Sequence, residues 1–451
     1  MKMRNRFLQL VTLGSVFALS ACAGLPSIPG FGGGGDKVSE EEKAGRINLA
    51  IGNLTLEADP QFVDTAVILP EARALSDWTQ AGASATKAIG HVQAAPNLAI
   101  EWSTRVAEGT DRSIALTTAP VSDGTNIYLL DGEQQVKSIS LETGSVLWSE
   151  KLRSENPRDK RGIGGGVAVS GSTLIVASGY GFVAALNAAD GSEIWRQNLT
   201  SPVTGTPTIN NESIYIVTQN NEIFSMELAT GRVEWSDQAI AESARVLAAP
   251  SVAAVEDIVV APFSSGEVIA FFSANGRRLW NEGLNRSGRF TPISSINDIA
   301  SRPILSQGLV YAASQSGIMA AIDGRTGRRV WQQNIGSIYA PALVGEYIFV
   351  AGVEGQIACL SVNNGGVIWV EQLRKFEKEK SKQGRITYAG PIVASNRIIV
   401  LSSRGELIAL SPQNGQEVAR VELNNRVFLE PIVVGDRLII LTDNGRLISV
   451  R

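Results

Sequence analysis

A short motif ending in tryptophan recurs along this chain and constrains its fold more than any other feature. In each copy a glycine, preceded by Asn, Asp or Thr, lies four residues before the tryptophan. The six complete copies pair Gly144 with Trp148, Gly191 with Trp195, Gly231 with Trp235, Gly276 with Trp280, Gly327 with Trp331, and Gly365 with Trp369. A seventh copy has Gly415 but carries Ala419 in place of the tryptophan. The period of about 45 residues is that of four-stranded β-propeller blades.

Apolar, β-branched runs accompany the motif and predict the number of blades. Each run is flanked by turn-forming residues, as expected of a strand. The eight runs are Ile127–Leu129, Leu174–Val176, Ile214–Ile216, Ile258–Val260, Val310–Tyr311, Ile348–Val350, Ile398–Val400 and Leu438–Ile440. A second turn marker lies ten residues before the motif glycine. It is glycine in five copies, whereas Gln134 takes its place in the first copy and Asn221 in the third.

The chain ends before an eighth motif, so the outer strand of the last blade must come from elsewhere. Ala99–Ser103 contains Trp102 without a preceding repeat and is predicted to supply this strand. Joining both termini in one blade closes the ring and removes two sheet edges. The predicted fold is all-β: an eight-bladed β-propeller of four-stranded blades over residues 97–451, closed by the N- and C-terminal strands.

The tryptophans are predicted to be structural residues that dock each blade on the next. A tryptophan side chain offers a large apolar face and one N–H donor, and its burial is worth about 2–3 kcal/mol. The predicted docking residues are Trp102, Trp148, Trp195, Trp235, Trp280, Trp331 and Trp369. Ala419 offers neither the face nor the donor, so its blade junction is predicted to be held less firmly.

The N-terminus predicts export followed by lipid attachment. A basic start, Met1–Arg6, precedes an apolar run that is too short to span a bilayer. The run ends in Leu-Ser-Ala-Cys, which resembles a bacterial lipobox and implies acylation of Cys22. The resemblance also implies the outer membrane, facing the periplasm, because Ala23 replaces the aspartate that retains lipoproteins in the inner membrane.

Four segments are therefore predicted. Residues 1–21 are a signal peptide, residues 22–36 a lipidated cysteine with a glycine-rich, flexible tether. Residues 37–96 form a partly ordered extension, and the propeller follows. The apolar stretch from Thr65 to Trp78 is expected to pack on the outside of the propeller.

Composition narrows the possible chemistry. A net charge of −4 gives no indication of a nucleic-acid partner. Cys359, in an apolar strand, is predicted to be a small buried hydrophobe. The single histidine, His91, lies outside the blades and is predicted to be a packing or surface residue. A histidine-based zinc site or general base inside the propeller is thereby excluded.

The repeat resembles the tryptophan-docking motif of quinoprotein-type propellers, carried here in degenerate form by Leu186–Trp195 and its counterparts. Together with the lipobox, it makes the chain similar to the BamB family, the lipoprotein propellers of the outer-membrane β-barrel assembly (BAM) complex. That resemblance implies a non-catalytic scaffold without cofactor, metal or small-molecule substrate. The implied partners are the POTRA domains of BamA and other BAM subunits.

The resemblance also implies a partner-binding site on two segments between blades 3 and 5. In Glu242–Val246 an arginine matches the family pattern, although the family's leucines are absent. In Asn297–Pro303 one of two family aspartates is retained. The implied contact residues are Ala244, Arg245, Val246, Asp298 and Ile299. An alternative is that Arg245 and Asp298 are merely solvated loop charges.

Other functions use the same fold. A dehydrogenase dependent on pyrroloquinoline quinone would carry a pair of adjacent cysteines, which this chain lacks. A propeller that binds peptidoglycan or another envelope polysaccharide remains open, because loops vary independently of the fold. Gly162–Gly166 lacks the Lys-Ser/Thr end of a phosphate-binding loop. Arg374–Lys382 has mixed charges and is predicted to be a solvated loop between blades 6 and 7, with a partner site as the alternative.

Overall fold

Eight four-stranded antiparallel sheets make up the structure, a computed structural model that describes residues 56–62, 65–111, 115–155, 162–240, 248–285 and 298–451. One short 3-10 helix, Pro60–Phe62, precedes the strands in these ranges. The sheets are the blades of a β-propeller, so the predicted fold class is confirmed. The predicted signal peptide, Cys22 and the tether lie outside the described residues.

The first strand, β1 (Ile100–Arg105), belongs to blade 8, and each other blade follows the chain from its inner to its outer strand. Blade 1 contains β2 (Val121–Ser122), β3 (Asn126–Leu130), β4 (Gln135–Ser140) and β5 (Val146–Lys151). Blade 2 contains β6 (Gly165–Ser170), β7 (Thr173–Ser178), β8 (Phe182–Asn187) and β9 (Glu193–Asn198). Blade 3 contains β10 (Thr208–Asn210), β11 (Ser213–Val217), β12 (Glu222–Glu227) and β13 (Val233–Gln238).

The next three blades repeat this order. Blade 4 contains β14 (Ala253–Val255), β15 (Ile258–Pro262), β16 (Glu267–Phe272) and β17 (Arg278–Gly283). Blade 5 contains β18 (Ile304–Ser306), β19 (Leu309–Ala313), β20 (Met319–Asp323) and β21 (Arg329–Gln333). Blade 6 contains β22 (Ala342–Val344), β23 (Tyr347–Ala351), β24 (Gln356–Ser361) and β25 (Val367–Gln372).

A small hairpin separates the last two blades from the others. It consists of β26 (Phe376–Lys378) and β27 (Gln383–Arg385). Blade 7 contains β28 (Tyr388–Ala394), β29 (Arg397–Ser402), β30 (Glu406–Leu410) and β31 (Glu417–Glu422). Blade 8 contains β32 (Ile432–Val434), β33 (Arg437–Leu441), β34 (Arg446–Val450) and β1.

The core lies between the blades. All eight apolar runs identified in the sequence fall in the second strand of a blade, and these strands are buried on both faces. One apolar cluster, for example, joins Ile175 and Val183 of blade 2 to Ile214 and Met226 of blade 3. Sheets that are packed on both sides require continuous apolar strands rather than alternating ones. This explains why the runs, and not a two-residue period, mark the blades.

Ring closure takes the form that the sequence predicts. Strand β1 pairs antiparallel with β34, from Ile100 opposite Val450 to Arg105 opposite Arg446. An ion pair strengthens the joint, because the Arg437 guanidinium donates to the Glu101 carboxylate at 2.8 Å. This hydrogen bond holds the pKa of Glu101 below its usual value. The N-terminal outer strand and the C-terminal strands thus form one blade.

Six of the tryptophans fasten neighbouring blades in the same way. Each donates its indole N–H to the carbonyl oxygen three residues before the motif glycine of the next blade. These bonds run from Trp148 to Ala188 (3.0 Å), Trp195 to Leu228 (3.2 Å), Trp235 to Ser273 (2.6 Å), Trp280 to Gly324 (2.7 Å), Trp331 to Val362 (2.8 Å) and Trp369 to Pro412 (2.9 Å). We call this arrangement the tryptophan clamp.

The glycine of the motif is explained by the indole that covers it. A Cβ atom built on Gly231 would lie 2.4 Å from the Trp195 ring, and the residue has φ +71°. Any other residue would therefore meet both a steric clash and an unfavourable backbone conformation. The glycine and the tryptophan of the preceding blade are thus one structural unit.

The two junctions of blade 8 depart from the clamp. Trp102 covers Gly144, but its indole N–H has no hydrogen-bond partner among the described residues. At the junction of blades 7 and 8, Ala419 stands at the tryptophan position and Leu98 at the glycine position, four residues before Trp102. Leu98 has φ +49°, is buried, and shares an apolar cluster with Ala419. A leucine fits here because no indole occupies the space.

Residues 73–95, which we call the cap segment, cross one end of the central channel. The segment runs along the ends of the inner strands and forms hydrogen bonds with successive blades. Trp78 pairs with Ser122 of blade 1, and the Thr79 carbonyl accepts from the Val169 N–H of blade 2. The side-chain amide of Gln80 forms hydrogen bonds with the backbone of Ile209 of blade 3. Ala85 and Thr86 accept from Ala254 and Leu305 of blades 4 and 5. Trp78 is 2 % exposed and lies over the channel and not, as expected, on the outside of the propeller, whereas Val67 of the same stretch packs against blade 6.

The cap segment makes its densest contacts with blades 7 and 8. Val92 donates to the Val393 carbonyl at 3.0 Å, and Ala95 donates to the Asp436 carbonyl at 2.8 Å. His91 is buried; its Nε2 accepts from the Asn396 N–H at 2.9 Å, which leaves Nδ1 as the donor to the Pro70 carbonyl at 2.6 Å. His91 is therefore a packing residue whose ring bridges the extension and blade 7.

Candidate functional site

The strand order gives the propeller two different faces. Neighbouring strands are antiparallel, so the turns after the first and third strands of a blade lie on one face, together with the cap segment. The turn after the second strand and the connection to the next blade lie on the other, which we call the connection face. Both predicted docking segments are blade connections, one after β13 and one after β17. The described residues beside or within them, Ile240, Ala248 and Asp298, therefore lie on the connection face.

The described ends of the two docking segments come together between blades 3 and 5. Ile240, the last described residue before the first segment, is 66 % exposed. Ala248, the first described residue after that segment, and Asp298, the first described residue of the second segment, line the same small cavity. The sequence places these residues 50 positions apart. The fold thus brings the described residue after the first segment close to the described start of the second.

An asparagine supports this patch from beneath. Asn221 occupies the turn position that is glycine in most blades, and it has φ +57°. Its side-chain amide donates to the Ile240 carbonyl at 2.5 Å, and its amide oxygen accepts from the Ser264 hydroxyl of blade 4 at 2.9 Å. Asn221 thereby fixes the start of the first docking segment against two blades.

Gln134 plays the same part between blades 1 and 2. Its amide donates to the Gly164 carbonyl at 3.1 Å, and its oxygen accepts from the Ser178 hydroxyl at 2.8 Å. Neither role was inferred from the sequence. The signal was present, however, because these two positions depart from glycine at a marker that is glycine elsewhere.

The structure separates the residues implied as partner contacts into two groups. Ala244, Arg245 and Val246 lie outside the described residues. Asp298 is only 5 % exposed, so it is not a solvated loop charge, and the Gln315 N–H donates to its carbonyl at 3.0 Å. Ile299 is fully buried in the apolar cluster between blades 4 and 5. In the isolated chain these two residues anchor the end of the second segment rather than present a surface.

A cavity of about 350 Å³ lies in the channel beneath the cap segment. The cap contributes Trp78, Ala81 and Gly82 to its lining, and the remainder comes mainly from the beginnings of the inner strands. An ion pair between Arg302 and Glu430 crosses its wall. Tyr339 donates to the Phe428 carbonyl at 2.8 Å, and burial raises the pKa of its hydroxyl. The two charges are paired with each other, while the Nε atom of Arg302 has no hydrogen-bond partner among the described residues.

The described residues hold no group of three or more histidine, cysteine, aspartate or glutamate side chains that could bind a metal ion. Cys359 is fully buried, and burial raises the pKa of its thiol, so it is a packing residue of blade 6. No helix within the described ranges is long and apolar enough to cross a membrane.

Fold and site together define a class: an eight-bladed propeller of the tryptophan-docking type, closed by its two termini and carrying connection loops on a rigid ring. Comparisons of structure agree. BamB from Moraxella catarrhalis superposes with a TM-score of 0.64 at 18% identity, covering 78% of this chain and 99% of that one. A quinohemoprotein alcohol dehydrogenase from Comamonas testosteroni superposes with a TM-score of 0.63 at 12% identity, covering 87% and 82%. At these identities the likeness shows the fold alone.

Sequence comparisons are more specific. The family model described as outer membrane protein assembly factor BamB matches residues 132–371 and 354–451. The BamB protein of Yersinia pestis is 26% identical over 334 residues, 73% of this chain and 82% of that protein. The Escherichia coli BamB protein is 22% identical over 330 residues, 72% and 82% of the two chains. The chain belongs to the BamB family of outer membrane protein assembly factors.

Proposed function

We propose that this chain is a non-catalytic scaffold lipoprotein of the machinery that folds and inserts outer-membrane β-barrel proteins. It is acylated on Cys22, held at the outer membrane facing the periplasm, and docks on the POTRA domains of BamA beside other BAM subunits. Family membership supports the assembly role, and the lipobox at Leu19–Cys22 supports the anchor.

The docking surface in this proposal is the part of the connection face between blades 3 and 5. One observation carries it: Ala248, two residues after the first docking segment, and Asp298, within the second, line one cavity. Arg245, flanked by Ala244 and Val246, supplies the charged contact. Ile240 supplies an exposed apolar one beside it. Asp298 and Ile299 hold the second segment in place from below.

The ring suits a scaffold because its blades are fastened to each other. Each clamp links two blades, and the cap segment bonds five consecutive blades in turn. A loop on such a support keeps its position when a partner binds, which reduces the ordering cost of association. In the proposed mechanism the rigid ring orients a POTRA domain so that incoming strands meet the barrel.

The proposal is tested by affinity purification of the tagged, lipidated protein in mild detergent, with the recovered chains identified by mass spectrometry. The native chain should recover a POTRA-bearing barrel protein in stoichiometric amounts. Arg245→Glu combined with Ile240→Glu should lower this recovery about tenfold or more, because a reversed charge and a buried carboxylate both oppose docking.

Matched controls are available on other surfaces. Arg277→Glu reverses an exposed charge at a turn on the cap side of blade 4, and Val418→Glu alters an exposed apolar residue on the outer strand of blade 7. This control pair should leave recovery unchanged. Equal recovery from a folded docking-surface variant would reject the site, and recovery of no barrel protein by the native chain would reject the function.

A further inference from the structure

The hairpin of β26 and β27 is a basic projection on the connection face. It is inserted between the outer strand of blade 6 and the inner strand of blade 7. Its residues are exposed from Glu377 to Arg385. Four lysines lie within eight positions, at Lys375, Lys378, Lys380 and Lys382. Glu377 and Glu379 lie between these lysines, so the charges are mixed, but the segment is net positive in a chain whose net charge is −4.

The base of the hairpin is bonded to the neighbouring blades, whereas the lysines at its tip form no ion pair with other described residues. Arg385 donates to the Val353 carbonyl at 2.6 Å and pairs with Glu354, which also faces Lys375 at 3.8 Å. The Tyr388 hydroxyl donates to the Arg374 carbonyl at 2.7 Å. These bonds fix the base of the hairpin to blade 6 and to the first strand of blade 7.

The lysines at the tip have no ion pair within the described part of the chain. Lys378 ends β26, and Lys380 and Lys382 lie in the turn that joins the strands. The neighbouring Glu379 carboxylate instead accepts from the Phe376 N–H at 3.2 Å. Three exposed lysines without an ion pair in this part of the chain therefore lie within five positions of one another.

The composition of the tip favours a lipid surface over a protein partner. Protein interfaces are enriched in aromatic residues and arginine and depleted in lysine. The turn residues from Glu379 to Lys382 include no apolar side chain that could enter a pocket. Lysine is a flexible point charge that needs no matching fork of acceptors. A diffuse layer of lipid phosphate groups fits these properties, because each basic residue near such a surface contributes about 1 kcal/mol to the binding free energy.

We propose that this hairpin binds the surface of a bilayer that contains anionic phospholipid. Together with acylation of Cys22, which is part of the proposed function, the hairpin supplies a second membrane signal; stable anchoring commonly takes two. The connection face of blades 6 and 7 then turns toward the membrane. The docking patch between blades 3 and 5 stays free for a protein, since it lies elsewhere on the ring.

The test uses the mature chain with Cys22→Ser, so that no acyl chain contributes to binding. Sedimentation is measured with vesicles of phosphatidylcholine alone and with vesicles containing about 30 % phosphatidylglycerol. The chain should bind the anionic vesicles and not the neutral ones, and about 0.5 M salt should abolish binding by screening. The variant Lys378→Gln, Lys380→Gln, Lys382→Gln should weaken the partition coefficient about a hundredfold.

The control removes the same charge from the cap side, with Arg277→Gln, Arg325→Gln, Arg328→Gln at exposed turn positions. It should bind the anionic vesicles as the parent chain does. Equal losses of vesicle binding in both variants would show that net charge alone, and not the hairpin, causes binding. The proposal would also be overturned if the chain bound neutral and anionic vesicles equally. A hairpin variant that loses a protein partner in the affinity purification but still binds vesicles would assign the surface to protein. Because the docking assay uses other residues, the two proposals can fail separately.

Discussion

Blades 1 to 7 are joined by a device that repeats, whereas the junction of blades 7 and 8 is joined by a segment that does not. At six junctions an indole covers a glycine and bonds the next blade. Between blades 7 and 8 the indole and glycine are replaced by Ala419 and Leu98. There the residues from His91 to Ala95 bond both blades instead. Cross-blade hydrogen bonds and buried apolar contacts can thus be supplied by different parts of a chain.

The largest expected effect comes from removing a complete clamp. Trp280→Ala should lower the free energy of unfolding by about 3–5 kcal/mol, because it leaves a cavity and loses the bond to Gly324. Trp102→Ala should cost less, by about 1 kcal/mol, since its N–H has no described partner to lose. Urea denaturation of both variants measures the difference. Equal losses would mean that the hydrogen bond adds nothing to the clamp.

A smaller effect is expected from building a clamp where none exists. Ala419→Trp alone should destabilise the ring, because Leu98 occupies the space of the glycine. Adding Leu98→Gly should relieve the clash, so the two changes should couple by about 1–3 kcal/mol in a double-mutant cycle. Additive free energies would show that Leu98 and Ala419 are not a replacement for the glycine–tryptophan unit.

The smallest effect concerns Lys87 of the cap segment, which is buried and lies 3.5 Å from the Gln80 amide oxygen. Desolvation, followed by the charge of Arg302, lowers its pKa well below 10.5. In the window between that lowered pKa and 10.5 the unfolded chain binds the extra proton, so the contribution of Lys87 to stability rises with pH. The slope is at most about 1.4 kcal/mol per pH unit.

The variant Lys87→Met removes this titration while filling the same space. It should be more stable than the native chain near neutral pH, and the difference should shrink as the pH rises toward 10.5. Thermal unfolding of both proteins at several pH values measures it, with Lys151→Met at a partly exposed position as the control. A stability difference that is independent of pH would mean that Lys87 stays protonated in the folded state over the whole range, which would contradict the prediction.

The contrast between the repeated clamp and the unrepeated cap segment also explains which features the sequence could predict. The clamp was readable because Trp280 and its counterparts repeat at a fixed distance from glycine, and eight apolar runs repeat with them. The cap segment occurs once, so no period marks it, and its bonds to the blades are mostly made by backbone atoms that carry no sequence signature. Leu98 at a glycine position was unreadable for the same reason, because its meaning depends on Ala419, far along the chain.

The candidate site divides similarly. Arg245 and Asp298 could be aligned with a family pattern, and the fold brings Asp298 to one cavity with Ala248, which lies three residues after Arg245. Burial of Asp298 and Ile299 could not be foreseen, because it arises from the packing of blades 4 and 5 around the end of a loop. The cross-blade amides of Asn221 and Gln134 were visible only as departures from glycine.

The proposal that this chain docks through the connection face between blades 3 and 5 is tested most directly by crosslinking in the cell envelope. A photoreactive amino acid would replace Ile240 on that face and, in a second strain, Arg277 on the cap side. We expect a crosslink from position 240 to a POTRA-bearing barrel protein and none from position 277. A crosslink to that protein from position 277 alone, or from neither position in a folded protein, would contradict the proposed docking surface.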